Sequence, residues 1–237
     1  MVILWNTLAG GDPEYAAILV ALNSVFQILL YSFYAYFLIA IASNWIVPGS
    51  GTEINISVVD VAQSVLIYLG IPFVLGILTR YTLLPRIGEK RYTEGLMPRL
   101  GKISLLALLF TIVVMFAFKG QYILDQPLDV ARIAVPLVFY FLIMFFLSYW
   151  LSIKLKFDHA HATAQSFTAA SNNFELAIAV SIGVFGISSL VAFAAVIGPL
   201  IEVPVLISLV NVAFWIKKRR FDANGMVKED ASLRTLE

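Results

Sequence analysis

The chain has 237 residues, 60% of them hydrophobic and only 13% charged, with a mean hydropathy of +0.89. Soluble domains carry about 25% charged residues, so the composition excludes a soluble globular protein and describes one that lives in a bilayer. Net charge is +1 and cysteine is absent, which leaves no disulfide framework and no thiolate metal site.

Crossing about 30 Å of hydrocarbon takes about 20 helical residues. The chain opens on Met1-Val2-Ile3-Leu4-Trp5-Asn6, without a basic n-region or a cleavage site, as if already inside a helix. This apolar piece, Met1–Ala9, is long enough for half a crossing. Full spans are predicted at Tyr15–Ala42, Val59–Thr79, Ile133–Ile153, Ala160–Ile187 and Leu190–Ile216, with a shorter one at Ile103–Phe118. None alternates with the two-residue period of a barrel strand, so the predicted fold is an all-α membrane bundle.

Charge orients it. Counting all six predicted spans in chain order, Arg80, Arg86, Lys90, Arg91, Arg99 and Lys102 lie between the second and third, Lys154 and Lys156 after the fourth, and Lys217–Arg220 after the last. The loop before Val59 has no basic residue, and the 119–132 connection has only Lys119 and Arg132, so six alternating spans gather 14 of the 16 basic residues on one face. The positive-inside rule makes that face, and the C-terminus, cytoplasmic. The Lys217–Arg220 run therefore predicts contact with anionic lipid rather than nucleic acid. Three regions follow: 1–14, half a broken helix and a turn; 15–220, the transmembrane domain; and 221–237, a polar cytoplasmic tail.

Of the 15 acidic residues, only Glu175 and Glu202 lie deep inside spans. A carboxylate at that depth costs about 2.5–3.5 kcal/mol on insertion scales and marks a functional site by default. Glu175 follows Ser171-Asn172-Asn173, residue types whose side chains compete for backbone hydrogen bonds and favour caps and turns. Ala160–Ile187 thus predicts two half-helices: a small, polar one suited to close packing, and an apolar one with Glu175 in its first turn. Non-helical backbone at membrane depth is tolerated where it lines a cavity, and secondary transporters bind substrate at such breaks. The competing reading is a continuous helix whose Asn and Glu bond a neighbour. Glu202 lies between Pro199 and Pro204, each of which removes an N–H and favours a kink, freeing carbonyls near Val196 and Leu200. Both acids are predicted to be buried and to exchange protons; Glu202 as mere helix–helix glue is the alternative.

Asn23, Gln27 and Tyr31 recur every four residues and share a helix face predicted to point into the bundle. They serve either substrate or neighbouring helices. His159 and His161, two residues apart, face different ways on a helix, so no metal site is expected. No cofactor is implied, and no phosphate loop, nucleophile elbow or zinc-protease motif suggests an enzyme. Internal symmetry is weak but placed as inverted repeats require: Tyr15-Ala16-Ala17-Ile18-Leu19 echoes Phe193-Ala194-Ala195-Val196-Ile197 at an offset of 178 residues, pairing Glu202 with Ser24. Glu175 then pairs with a position upstream of Met1.

Three stretches carry a resemblance to a family. Trp5-Asn6, Leu8-Ala9, Gly11-Asp12 and Glu14-Tyr15-Ala16-Ala17 run on into Leu19-Val20-Ala21-Leu22-Asn23-Ser24 and Phe26-Gln27. The second stretch is Ala169–Ala177, and the third is Ala192–Leu206 with its Gly198-Pro199-Leu200-Ile201-Glu202-Val203-Pro204 core. Together they resemble the arsenical-resistance arsenite permeases of the bile acid, arsenite and riboflavin transporter superfamily, nearly end to end up to Arg220. The resemblance implies an inverted-repeat transporter of ten spans, with the fourth and ninth broken and crossing; about six and a half spans would be present here. It implies export of arsenite, and of antimonite, in exchange for protons. Substrate and proton sites are then expected at Ser171, Asn172, Asn173, Glu175 and Glu202, with Asn23 and Gln27 beside them. The family's essential cysteine, in an Ala-Arg-Cys stretch, would fall before Met1, so the chain is read as the C-terminal part of a longer protein. A sodium-coupled carrier of organic anions and a non-transporting remnant stay open as alternatives.

Overall fold

The computed structural model describes residues 2–42, 45, 57–187 and 189–228. The end of the expected polar tail, 229–237, and most of the loop before Val59 lie outside the described residues. Among those described, the fold is all-helical, with one isolated antiparallel bridge between Phe221 and Val227. We number the helices α1 (Val2–Leu8), α2 (Pro13–Tyr36), α3 (Val58–Ile87), α4 (Met97–Asp125), α5 (Pro127–Lys154), α6 (His159–Ala170), α7 (Phe174–Phe185) and α8 (Leu190–Arg220). Among the described residues α2, α3, α5 and α8 are long and apolar enough to cross a membrane. The predicted short span at 103–118 lies inside α4, a continuous helix of 29 residues. The predicted span 160–187 is indeed two pieces, α6 and α7, of 12 residues each.

Wide turns mark the long helices. A π-helical turn at Leu66–Gly70 precedes Pro72 in α3. Proline there has no N–H to give and would crowd the carbonyl four residues back; the wider turn absorbs both effects. Pro199 and Pro204, by contrast, sit within an α8 that remains helical from Leu190 to Arg220.

The chain forms two compact units: Met1–Phe26, Ala131–Ala177 and Ala194–Glu237 make the first, and Gln27–Val130 with Ile178–Phe193 the second. In the second, Gly183 lies against Ser64 and Tyr68, where an added Cβ would come within 3.2 Å of the Ser64 hydroxyl. Its buried positions include Val61, Val65, Ile178 and Val180.

The first unit holds the main core: Trp5 and Ala9 from α1, Phe145 and Tyr149 from α5, Ala162 and Phe167 from α6, and Leu206, Leu209 and Ala213 from α8. The small polar half-helix is packed as its composition predicts, with Ala162, Thr163, Ala164 and Ser166 fully buried. Its partner is α1 and the turn after it. Gly10, at φ 73°, ends α1 in a left-handed conformation, and Gly11 then presses against Asn6 and the backbone of Ala164, leaving no room for a side chain. Asn6 Nδ2 donates to the Asp12 carbonyl (2.9 Å), while the Asp12 N–H donates to the Ala160 carbonyl (3.1 Å).

Candidate functional site

The break between α6 and α7 is built by its own side chains. Helix α6 ends at Ala170, and Ser171 turns extended (φ −75°, ψ 148°). Helix α7 restarts on Asn173, whose Oδ1 accepts the Leu176 N–H (3.1 Å) in the manner of an N-cap. Two neighbours hold this strip and the Phe174 that follows it. From α5, Phe141 meets the ring of Phe174 edge-on at 6.3 Å, and Tyr140 reaches Asn172. From α8, Gly198 receives the Phe174 ring so closely that any Cβ there would overlap it. That missing side chain is what lets α8 approach the break.

Glu202 completes the site. It is 1% exposed, and Ser171 Oγ donates to its Oε1 over 2.5 Å. The Asn172 backbone N–H also serves this carboxylate, and Glu175 is close enough for the two charges to interact. The acid therefore takes its partners from the broken helix. Such charge-assisted bonds satisfy a buried carboxylate that would otherwise be costly.

The structure brings Ser171, Asn172, Glu175 and Glu202 together, with Asn173 capping beside them. Glu175 occupies the first turn of α7, as expected, but its side chain is exposed and not buried. Asn23, exposed on α2 in the first unit, departs from the inward direction its face was given; Gln27 and Tyr31 are half-buried and belong to the second unit. The helical period correctly groups these three residues, yet burial varies along the face because it depends on what packs over each turn. Sequence reasoning missed Tyr140 and Gly198. Gly198 had a signal, a glycine directly before the Pro199–Pro204 stretch; Tyr140, one of several aromatics on α5, had none.

The two histidines part company. His159 is buried, with Nδ1 2.9 Å from the Tyr149 hydroxyl, which also meets Thr163 Oγ1 at 2.9 Å. His161 turns outward and pairs with Asp158 at 2.9 Å. Among the described residues no group of three or more His, Asp or Glu could hold a metal ion.

Helices of membrane length, and a helix broken beside a buried carboxylate, are features of α-helical membrane transporters. The chain belongs to the Sodium Bile acid symporter family, whose sequence profile matches residues 1–126; the site residues 140–202 lie beyond that stretch. It is 41% identical to the arsenical-resistance protein Acr3 of Corynebacterium glutamicum over 93% of its own length and 60% of that protein's. Identity is 37% to the uncharacterized transporter slr0944 of Synechocystis, covering 91% of this chain and 55% of the relative. It is 34% to the arsenical-resistance protein Acr3 of Alkaliphilus metalliredigens, covering 90% and 57%. The chain thus spans 55–60% of the length of these relatives. No solved structure matches it.

Proposed function

We propose that the protein exports arsenite, with antimonite as a second substrate, across the plasma membrane in exchange for protons, and that the break at Ser171–Asn173 with Glu202 and Glu175 is part of its substrate and proton site. The observation that carries this reading is the hydrogen bond from Ser171 to the buried Glu202, which couples the broken helix to an ionisable group. The two Acr3 relatives supply the substrate class.

At neutral pH arsenite is the uncharged trihydroxide, whose O–H groups donate and whose oxygens accept. An ionised Glu202 accepts from Ser171 and from the Asn172 N–H. Once protonated it becomes a donor, and the Ser171 hydroxyl can reverse its role, since a hydroxyl both donates and accepts. Substrate O–H groups compete for the same carboxylate oxygens. Proton and substrate then exclude each other at Glu202, as antiport requires. This chain contains no cysteine, so its own contribution to binding is hydrogen bonding and not sulfur ligation.

The test is expression of the complete reading frame in a cell stripped of arsenite exporters. Growth on arsenite should be restored, and everted vesicles should accumulate arsenite when a pH gradient is imposed. The family profile favours a second reading, a sodium-coupled organic-anion carrier. Vesicles that take up a bile acid only with sodium, and do not move arsenite, would replace the first reading with the second. Movement of neither would leave a non-transporting remnant.

A further inference from the structure

We propose that Tyr140 is a positioning residue of this site, which fixes the side-chain amide of Asn172 so that its N–H₂ group, and not its carbonyl, is presented to ligand oxygen. The inference rests on the substrate-site reading above.

Tyr140 lies half-buried on α5, held by its neighbour Phe141, whose ring meets its own at 5.7 Å. Its hydroxyl has one proton to give and two acceptors within reach: Asn172 Oδ1 at 3.2 Å and the Ala169 carbonyl at 3.5 Å. The shorter contact takes the proton by ordinary hydrogen-bond geometry. The Ala169 carbonyl is one of the last three of α6, which find no N–H further along the helix because it stops at Ala170, the Ser171 N–H going to Phe167. The one phenol proton therefore goes to Asn172, with the Ala169 carbonyl standing 3.5 Å away as the second acceptor.

An amide side chain has an acceptor end and a donor end, and binding one end decides where the other points. With Oδ1 held by Tyr140, the two hydrogens on Nδ2 face away from α5. The Asn172 backbone is meanwhile occupied by Glu202. Asn172 is thus pinned at its backbone by α8 and at its side chain by α5, and its free capacity is two donors. Such a group selects ligands rich in acceptor oxygen, of which a trihydroxylated metalloid is one. Without the phenol the amide can rotate by half a turn at little cost and offer its acceptor instead.

The experiment is arsenite uptake into everted vesicles from the complete reading frame carrying Tyr140→Phe, Asn172→Ala, both together, or Asn172→Asp, with melting temperature followed for each. Tyr140→Phe keeps the ring packing and should raise the KM for arsenite about three- to tenfold with Vmax little changed, the loss of one oriented hydrogen bond from uniform binding. Asn172→Ala should raise it at least as much, and the double variant no further, because Tyr140 acts through Asn172. Asn172→Asp keeps an acceptor for Tyr140 but has no amide donors, so it too should lose affinity, a test that holds even if Tyr140→Phe does not fold. Wild-type KM in Tyr140→Phe or in Asn172→Asp, or single effects that multiply in the double variant, would overturn the role of Tyr140. Wild-type KM in Asn172→Ala would overturn the substrate-site reading itself.

Discussion

Ser171 and Glu202 stand 31 residues apart in the chain and 2.5 Å apart in space, hydroxyl to carboxylate. One belongs to the interruption between α6 and α7, the other to the middle of α8. Their contact converts two separate oddities of an apolar sequence, a run of helix-capping residues and a buried acid, into one site.

Replacing Glu202 with Gln keeps the volume and still lets the side chain bond Ser171, while removing the exchangeable proton. Insertion and melting temperature should stay near wild type, and arsenite uptake driven by a pH gradient should fall by at least tenfold. Proton-driven uptake that survives in Glu202→Gln removes Glu202 from the mechanism; the same measurement on Glu175→Gln tests the exposed acid.

Gly198→Ala tests the close approach of α8 to the break. Its methyl group would overlap the Phe174 ring, and overpacking of this kind costs about 1–3 kcal/mol. The variant should melt at a lower temperature in detergent, and Phe174→Leu in the same chain should recover part of the loss. Equal melting of Gly198→Ala and wild type would mean that Phe174 yields freely.

Asp158 caps α6, accepting from the His161 N–H and pairing with its ring. Partial burial pushes its carboxyl up, but hydrogen bonds from the His161 backbone and ring, the His161 charge and the Ala160 N–H outweigh this and hold it below its ordinary value. With the folded value depressed, the unfolded chain takes up the proton first. The charged cap therefore contributes fully above the ordinary carboxyl pKa of about 3.9 and fades as pH drops through it toward the folded value. Asp158→Ala should cost about 1 kcal/mol near neutrality. The melting-temperature gap between wild type and Asp158→Asn should hold from pH 7 to 5 and shrink below pH 4; a gap that widens with acid contradicts the assignment.

Residues 1–237 contribute no cysteine, so once any cysteine encoded upstream is replaced, single introduced thiols report sidedness directly. An impermeant maleimide should label Ala223→Cys in everted vesicles and Asp125→Cys in intact cells. The reverse pattern would invert the topology drawn from the basic residues.

Much of this architecture was legible in the order of residues. Hydrophobic length set the helices, because a bilayer demands about 20 apolar residues whatever they pack against. The interruption was legible too, since Ser and Asn at 171–173 satisfy backbone groups locally and Asn173 does so in the structure. So was the singularity of Glu202, a charge where charge is expensive. These properties belong to single residues or near neighbours and need no knowledge of the fold. Packing decided the rest. Glu202 finds its partner across 31 residues, Tyr140 and Asn172 meet across 32, and Gly198 matters only because Phe174 happens to lie on it. Exposure of Glu175 beside burial of Glu202 could not be read from two acids in equally apolar surroundings. Burial is a property of what lies opposite, and only the tertiary structure supplies the opposite face.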